Sequence, residues 1–134
     1  MIARERLAVR RLELKDVYAV LEIMDDCRCE YSNGPGTLLE DSDDELFERY
    51  HNRRSAYFVA TVDDEIVGRA GIAPLRDSDG SICELQRMYL RAAHRAHGIG
   101  RALLEQGLNA AREFRYCRCY ARTFSATLAA TIFF

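Results

Sequence analysis

The 134-residue sequence lacks the long hydrophobic segments of membrane and secreted proteins. No stretch approaches the roughly 18 to 20 uninterrupted apolar residues that span a bilayer. The amino terminus carries a charged residue within its first four positions and never becomes the apolar core of a signal peptide. We therefore expect no membrane association and a cytoplasmic location.

The sequence also lacks a strong excess of charge of either sign. Acidic and basic residues nearly balance, and the formal net charge is −2. This balance argues against broad attraction to nucleic acid, and no recognition helix or aromatic and basic surface motif is apparent. A local basic patch formed by Arg91, Arg95 and Arg101 is compatible with the sequence.

The five cysteines do not form a recognisable disulfide or metal pattern. Their number is odd, and their spacing is unlike a secreted disulfide framework, so we expect reduced thiols. Two Cys-Arg-Cys triplets occur, but structural zinc sites space their paired cysteines two to four residues apart. We therefore expect no metal site.

Proline is scarce, and its two occurrences, Pro35 and Pro74, fall in apparent loops. No repeat or linker divides the chain, and its length suits one domain over residues 1–134. The hydrophobic fraction of 49% and the charged fraction of 30% are typical of a globular protein.

The hydrophobic pattern predicts strands and helices in the order β-α-α-β-β-β-α-β-α. Strands are predicted at 7–12, 57–62, 65–72, 82–90 and 117–124. The first helix is predicted to begin at 17, just after Asp16. A second helix is predicted to begin at a capping box, Ser42-Asp43-Asp44-Glu45, and to end near 52. A third is predicted to span about 98–114, and a last helix to begin at the end of the chain. This order predicts an α/β layered domain with a mixed sheet.

The most informative segment runs from residue 85 to 104, where a strand leads into a glycine-bearing turn that opens an amphipathic helix. The first amides of a helix lack internal acceptors and favour an anion. Gly98 and Gly100 would let a phosphate approach closely, although glycines here also suit a simple tight turn. A dinucleotide fingerprint would need glycine at Leu103, and a P-loop would need a lysine where the only lysine is Lys15.

The run Arg95-Ala96-His97-Gly98-Ile99-Gly100 resembles the signature of the Gcn5-related N-acetyltransferases, the GNAT superfamily, and the element order resembles theirs through strand five. The resemblance implies a mixed, mostly antiparallel sheet flanked by helices, with acetyl-CoA as co-substrate. It further implies that amides from Arg95 to Arg101 hold the pyrophosphate, and that the backbone of Met88, Tyr89 and Leu90 pairs with the pantetheine arm. Ala96 departs from the glycine that many relatives carry, and alanine restricts the backbone.

Glu84 is the candidate catalytic base, because several members of the resembled family place a glutamate near this point of strand four. Simple alternation puts Glu84, Gln86, Met88 and Leu90 on one face of the strand. Glu84 is alternatively a solvated residue or the ion-pair partner of Arg87. His97 is interpreted as a spacer and Tyr89 as a core residue. Cys83 is interpreted as a buried small residue and not as an acyl-carrying nucleophile.

The carboxyl terminus departs from the resembled family. Relatives have a tyrosine that protonates the departing thiolate, in a helix that leads to two final strands. Phe134 occupies the tyrosine position here, and the last strands are missing, so we expect a domain that is shortened at its carboxyl terminus. Such a chain would be a poor catalyst and would form a homodimer through the uncovered edge of strand five.

The predicted function is transfer of acetyl from acetyl-CoA to a primary amine of a small molecule or a protein terminus. The acceptor depends on loops at 31–40 and 76–81, whose acidic residues favour a cationic amine. The alternative is a catalytically impaired CoA-binding or interaction module that keeps the turn and lacks the acid.

Overall fold

Six strands form one sheet in the order β1-β2-β3-β4-β5-β6 in the computed structural model. It describes residues 6–30, 46–76, 79–94, 98–122 and 129–133, and only the backbone of 24–30, 92, 121–122 and 129–133. The strands are β1 Leu7–Arg11, β2 Ala56–Val62, β3 Glu65–Pro74, β4 Ile82–Leu90, β5 Arg118–Arg122 and β6 Ala129–Phe133. The helices are α1 Val17–Glu30, α2 Leu46–Tyr50 and α3 Ile99–Glu113.

Neighbouring strands are antiparallel except β4 and β5, which are parallel and joined through α3. The predicted mixed, mostly antiparallel sheet is therefore confirmed. The β2–β3 turn is Asp63-Asp64, and both residues have positive φ, at 51° and 69°. Aspartate tolerates this conformation better than most residues, which explains why the turn forms there.

Each face of the sheet has its own core. One core lies between the sheet and α3, where Leu103, Ala110 and Ala111 pack on apolar residues of β2, β3 and β4. The other lies under α1 and α2, where Val20 and Leu46 are buried with tyrosines of α2 and β2. The capping box predicted at 42–45 lies outside the described residues.

The last element corrects the sequence prediction. Residues Ala129–Phe133 form β6, which pairs antiparallel with β5 from Arg122↔Ala129 to Arg118↔Phe133. The prediction of a helix here is wrong, because Thr131, Ile132 and Phe133 belong to types that favour strands. The β5 edge is covered, so the argument for a homodimer through that edge no longer holds. Phe134 lies outside the described residues. Because the residues before it form a strand, the prediction that Phe134 takes the place of a helical tyrosine has lost its support.

Candidate functional site

The amino terminus of α3 follows the turn that leaves β4, as the motif predicts. Gly98 precedes the helix in a left-handed conformation, with φ at 81°. The first intrahelical bond runs from the Ala102 amide to the Gly98 carbonyl, at 3.0 Å. The amides of Ile99, Gly100 and Arg101 therefore have no acceptor within the helix, and its described first turn carries no acidic residue. This end of α3 favours an anion.

The two glycines of the turn have different roles. A Cβ atom at Gly98 would meet no described atom within 4 Å, so this position is open to a ligand. A Cβ atom at Gly100 would lie 3.1 Å from Met88 Cε and 3.3 Å from Leu90 Cδ1. Gly98 thus permits the turn, whereas Gly100 permits close packing of α3 on β4.

The rest of the predicted anion-binding turn is only partly described. Arg95, Ala96 and His97 lie outside the described residues. Ile99 is buried in the α3 core. Arg101 is exposed and lies 3.6 Å from the Glu105 carboxylate, and Arg91 lies 3.3 Å from Glu22. The two described members of the predicted basic patch therefore each lie close to a carboxylate, which reduces the net positive charge of the patch.

Strands β4 and β5 stay paired over only part of the length of β4. Their parallel register runs from Ile82↔Arg118 to Leu85↔Ala121. Strand β4 continues to Leu90, while β5 ends at Arg122. The segment of β4 that contains Met88, Tyr89 and Leu90 thus lies beyond the paired region and leads toward the start of α3.

A β-bulge interrupts β4 within this segment. The β3 register passes from Arg69↔Tyr89 to Gly71↔Gln86, so two residues of β4 oppose one residue of β3. Arg87 has a φ of 53°, which is rare for a residue with a side chain. The bulge reverses the alternation: Met88 and Leu90 contact the α3 side. The prediction that these two residues share a face with Glu84 and Gln86 is therefore wrong.

Glu84 lies on the sheet face that α1 and α2 cover. Its side chain is buried, with 8% exposed, so the interpretation as a solvated strand residue is wrong. Gln86 Nε2 donates to Glu84 Oε1 at 2.9 Å, and Tyr50 Oη donates to Gln86 Oε1 at 2.7 Å. Because the tyrosine hydroxyl binds the amide oxygen, the amide nitrogen is directed at the carboxylate. This chain of hydrogen bonds fixes the orientation of Glu84.

The sequence reasoning missed a second polar group on the same face. Arg69 is fully buried, its Nε donates to Tyr57 Oη at 2.6 Å, and Tyr57 Oη donates to the Arg87 carbonyl at 2.9 Å. The available signal was a charged residue inside the otherwise apolar stretch 66–74 of β3, since buried charges are rare without partners. Gln86 could have been found from its position two residues after Glu84, because residues two apart in a strand lie on the same face and can contact each other.

Two interpretations of buried residues agree with the structure. Tyr89 packs in the interior with 4% exposed. Cys83 is fully buried, and its hydrogen bond with the Cys119 thiol and its burial together raise the pKa of the Cys83 thiol. A raised pKa disfavours the thiolate, so Cys83 is unsuited to act as a nucleophile.

The described part of the chain contains no group of three or more His, Cys, Asp and Glu side chains arranged to hold a metal ion. None of its helices has the length and apolar character needed to cross a membrane.

Comparisons with known proteins agree with this geometry. The family model described as acetyltransferase (GNAT) family matches residues 18–134. The uncharacterized N-acetyltransferase YjgM of Escherichia coli strain K12 is 36% identical over 125 residues, which cover 91% of this chain and 75% of that protein.

Solved structures show the same fold. An acetyltransferase of the GNAT family from Staphylococcus aureus Mu50 matches with a TM-score of 0.74 and 19% identity, over 91% of this chain and 77% of that one. Rv2747 from Mycobacterium tuberculosis, solved in complex with CoA, matches with a TM-score of 0.68 and 27% identity. That match covers 87% of this chain and 64% of Rv2747.

Proposed function

The chain belongs to the acetyltransferase (GNAT) family, and we propose that it transfers the acetyl group of acetyl-CoA to a primary amine of a small molecule or a protein terminus. The observation that carries the proposal is the left-handed, open Gly98 at the start of α3. It follows a segment of β4 that extends beyond the last residue pair with β5. A helix amino terminus close to the end of a strand suits a phosphate joined to an extended arm.

The proposed binding site for acetyl-CoA has two parts. Backbone amides between Arg95 and Arg101 hold the pyrophosphate, which the positive end of the α3 dipole favours. Backbone groups of Met88, Tyr89 and Leu90 pair with the pantetheine arm. Rv2747, a protein 27% identical to this chain, was solved in complex with CoA, which supports CoA as the ligand of this fold.

Glu84 is the proposed catalytic base. The amine nitrogen attacks the thioester carbonyl carbon and a C–N bond forms. The C–S bond breaks, its electron pair stays on the sulfur of CoA, which leaves as the thiolate, and the nitrogen loses one proton. The Glu84 carboxylate accepts that proton. Its burial limits competition from water, and the hydrogen bond from Gln86 holds it in one orientation.

Calorimetric titration with acetyl-CoA tests the binding part of the proposal. Gly98→Val should weaken binding about 10- to 100-fold, because a residue held at positive φ costs about 1 to 3 kcal/mol and valine will shift the turn. Gly98→Asn is the matched control, since asparagine tolerates this conformation and should keep more of the affinity. Equal affinity of the valine variant and the parent would refute the assignment.

Thiol release from acetyl-CoA against a panel of primary amines tests the transfer part. Release that depends on the amine supports the proposed function. Binding of acetyl-CoA without release from any amine would instead favour the noncatalytic CoA-binding module.

A further inference from the structure

A buried cation lies on the central strand β3, on the face of the sheet that α1 covers. The Arg69 side chain is 0% exposed, and its guanidinium carbon lies 5.3 Å and 5.2 Å from the ring centres of Tyr57 and Tyr89. Its Nη1 donates to the Val20 carbonyl of α1 at 2.9 Å. Burial of a charge is costly unless the group is well bonded, and these contacts hold the guanidinium in one position.

The Tyr57 hydroxyl connects this cation to β4. A guanidinium has only donors, so the hydroxyl oxygen must accept from Arg69 Nε, at 2.6 Å. The hydroxyl hydrogen is then directed to the Arg87 carbonyl, at 2.9 Å. A hydrogen bond from a charged donor polarises the hydroxyl and strengthens the bond that it donates.

The carbonyl that receives this bond belongs to the bulge residue. Arg87 has a φ of 53°, a conformation that a non-glycine residue avoids unless its surroundings hold it there. The bulge turns Met88 and Leu90 toward α3, where both would contact any side chain added at Gly100. The alignment of β4 with the first turn of α3 therefore depends on the conformation of Arg87.

We propose that Tyr57 and Arg69 are positioning residues that hold the β4 bulge and thereby align Met88–Leu90 with the amino terminus of α3. The proposal rests on the proposed function, because that function assigns this segment of β4 to the pantetheine arm. Arg69 also ties the bulge to α1 through the Val20 carbonyl. Tyr57 and Arg69 act through the backbone of Arg87, without a contact to the reacting atoms.

Tyr57→Phe tests the proposal, because it removes the hydroxyl and keeps the ring. The expected result is a kcat/KM for acetyl-CoA about 10- to 100-fold lower, as for loss of a hydrogen bond within a charged network. Adding Arg87→Gly should restore most of the loss, since glycine adopts positive φ without strain. Adding Arg87→Ala should not, because alanine removes the same side chain without freeing the backbone.

Tyr116→Phe is the matched control. Tyr116 is also buried, and its hydroxyl donates at 2.8 Å to the carbonyl of Arg54, another residue with positive φ, at 64°. Arg54 binds the Phe114 carbonyl at the opposite end of α3. The control should lose similar stability in urea unfolding and keep its kcat/KM. A Tyr57→Phe variant with unchanged kcat/KM, or with a loss that Arg87→Ala restores as well as Arg87→Gly, overturns the proposal.

Backbone amide chemical shifts provide a readout that does not need turnover. In the protein without acetyl-CoA, Tyr57→Phe should shift the Met88 and Gly100 amide resonances, and Tyr116→Phe should leave them unchanged. Unchanged Met88 and Gly100 resonances in Tyr57→Phe would overturn the positioning role. Absence of acetyl-CoA binding by the parent would refute the proposed function, while these resonances would still decide the role of Tyr57. If Tyr57→Phe does not fold, Arg69→Met is compared by the same resonances.

Discussion

The two faces of the sheet are built from different contacts. On the α3 face, Leu103 is fully buried, and Gly107 brings the helix so close that a Cβ atom there would lie 3.1 Å from Leu85 Cδ1. On the face under α1 and α2, the buried groups include Arg69 and Glu84, joined to neighbours by hydrogen bonds. One face is mainly apolar packing, and the other holds a directional polar network.

This difference separates two tasks. Apolar packing is non-directional and sets how closely α3 approaches the sheet, and so where its amino terminus lies. Hydrogen bonds depend on direction and set the conformation of the β4 bulge and the orientation of Glu84. Truncation of a packed side chain on the α3 face should therefore reduce stability, whereas removal of a hydrogen-bonding group on the polar face should reduce activity.

The largest expected effect is on the polar face. Glu84→Gln should lower turnover about 100- to 10,000-fold, the usual loss for a missing general base, with acetyl-CoA affinity kept. Thiol-release kinetics measure the turnover, and calorimetric titration measures the acetyl-CoA affinity. Glu113→Gln, an exposed change at the far end of α3, is the control. Unchanged turnover in Glu84→Gln would make Glu84 structural.

Much of the framework was predictable because its signals are local. Alternating strand formers identify β4 over its full length, and the aspartate pair identifies the β2–β3 turn. The amphipathic pattern identifies α3, and Gly98 marks its start. The local signals conflict at the carboxyl terminus, because Ala129 and Ala130 favour helix and the next three residues favour strand. The predicted helix was wrong, since pairing with β5 decides between the two and is not a local property.

The polar face was not predictable in the same way. A bulge at Arg87 has no sequence signal, because arginine is not a residue that turns or positive φ select. The alternation rule therefore fails after Gln86. The partners of Arg69 lie far from it in sequence, on α1 and β2, and only the tertiary fold brings them together.

The next largest effect is expected on the α3 face. Leu103→Ala should lower the free energy of unfolding by about 2 to 5 kcal/mol, the usual cost of a cavity at a fully buried leucine. Urea unfolding followed by circular dichroism measures it. Leu104→Ala, at a partly buried position on the same helix, should cost less. Equal losses would show that the α3 face is not packed as described.

Alanine substitutions at two glycines compare how well each face of the sheet tolerates an added methyl group. A Cβ atom at Gly71, on the polar face, would lie 2.7 Å from Tyr57 Cδ2 and 2.8 Å from Tyr50 Cε1. Gly71→Ala should therefore cost about 1 to 3 kcal/mol by displacing rings that hold the network. Gly107→Ala should change stability by less than about 1 kcal/mol, because the higher helix propensity of alanine offsets a tight contact with the flexible end of Leu85. Thermal unfolding of both variants tests the contrast, and a reversed order would contradict it.

The smallest effect concerns the ion pair before α1, at the border of the polar face. Asp16 is 4% exposed, and it accepts from Arg10 Nη1 and Nη2, at 2.6 Å and 2.9 Å, and from the Glu13 amide at 2.8 Å. The hydrogen bonds from Arg10 lower the pKa of Asp16 below its usual range, against the opposing effect of burial. The stabilisation is therefore present above pH of about 4, the unfolded pKa, and is lost as pH falls through the lower folded pKa.

Asp16→Asn should lower the free energy of unfolding at pH 7 by only about 1 kcal/mol, because the Arg10 side chain is 38% exposed and water screens the pair. Urea unfolding at pH 7, 5 and 3 measures the pH dependence. The parent should lose stability from pH 5 to 3 more steeply than the variant, since only the parent protonates a carboxylate bonded in the folded state. Glu13→Gln is the control: Glu13 is 57% exposed and lies 3.4 Å from Arg10, so its loss should leave the slope unchanged. Parallel slopes for the parent and Asp16→Asn would show that the pair contributes nothing to acid unfolding.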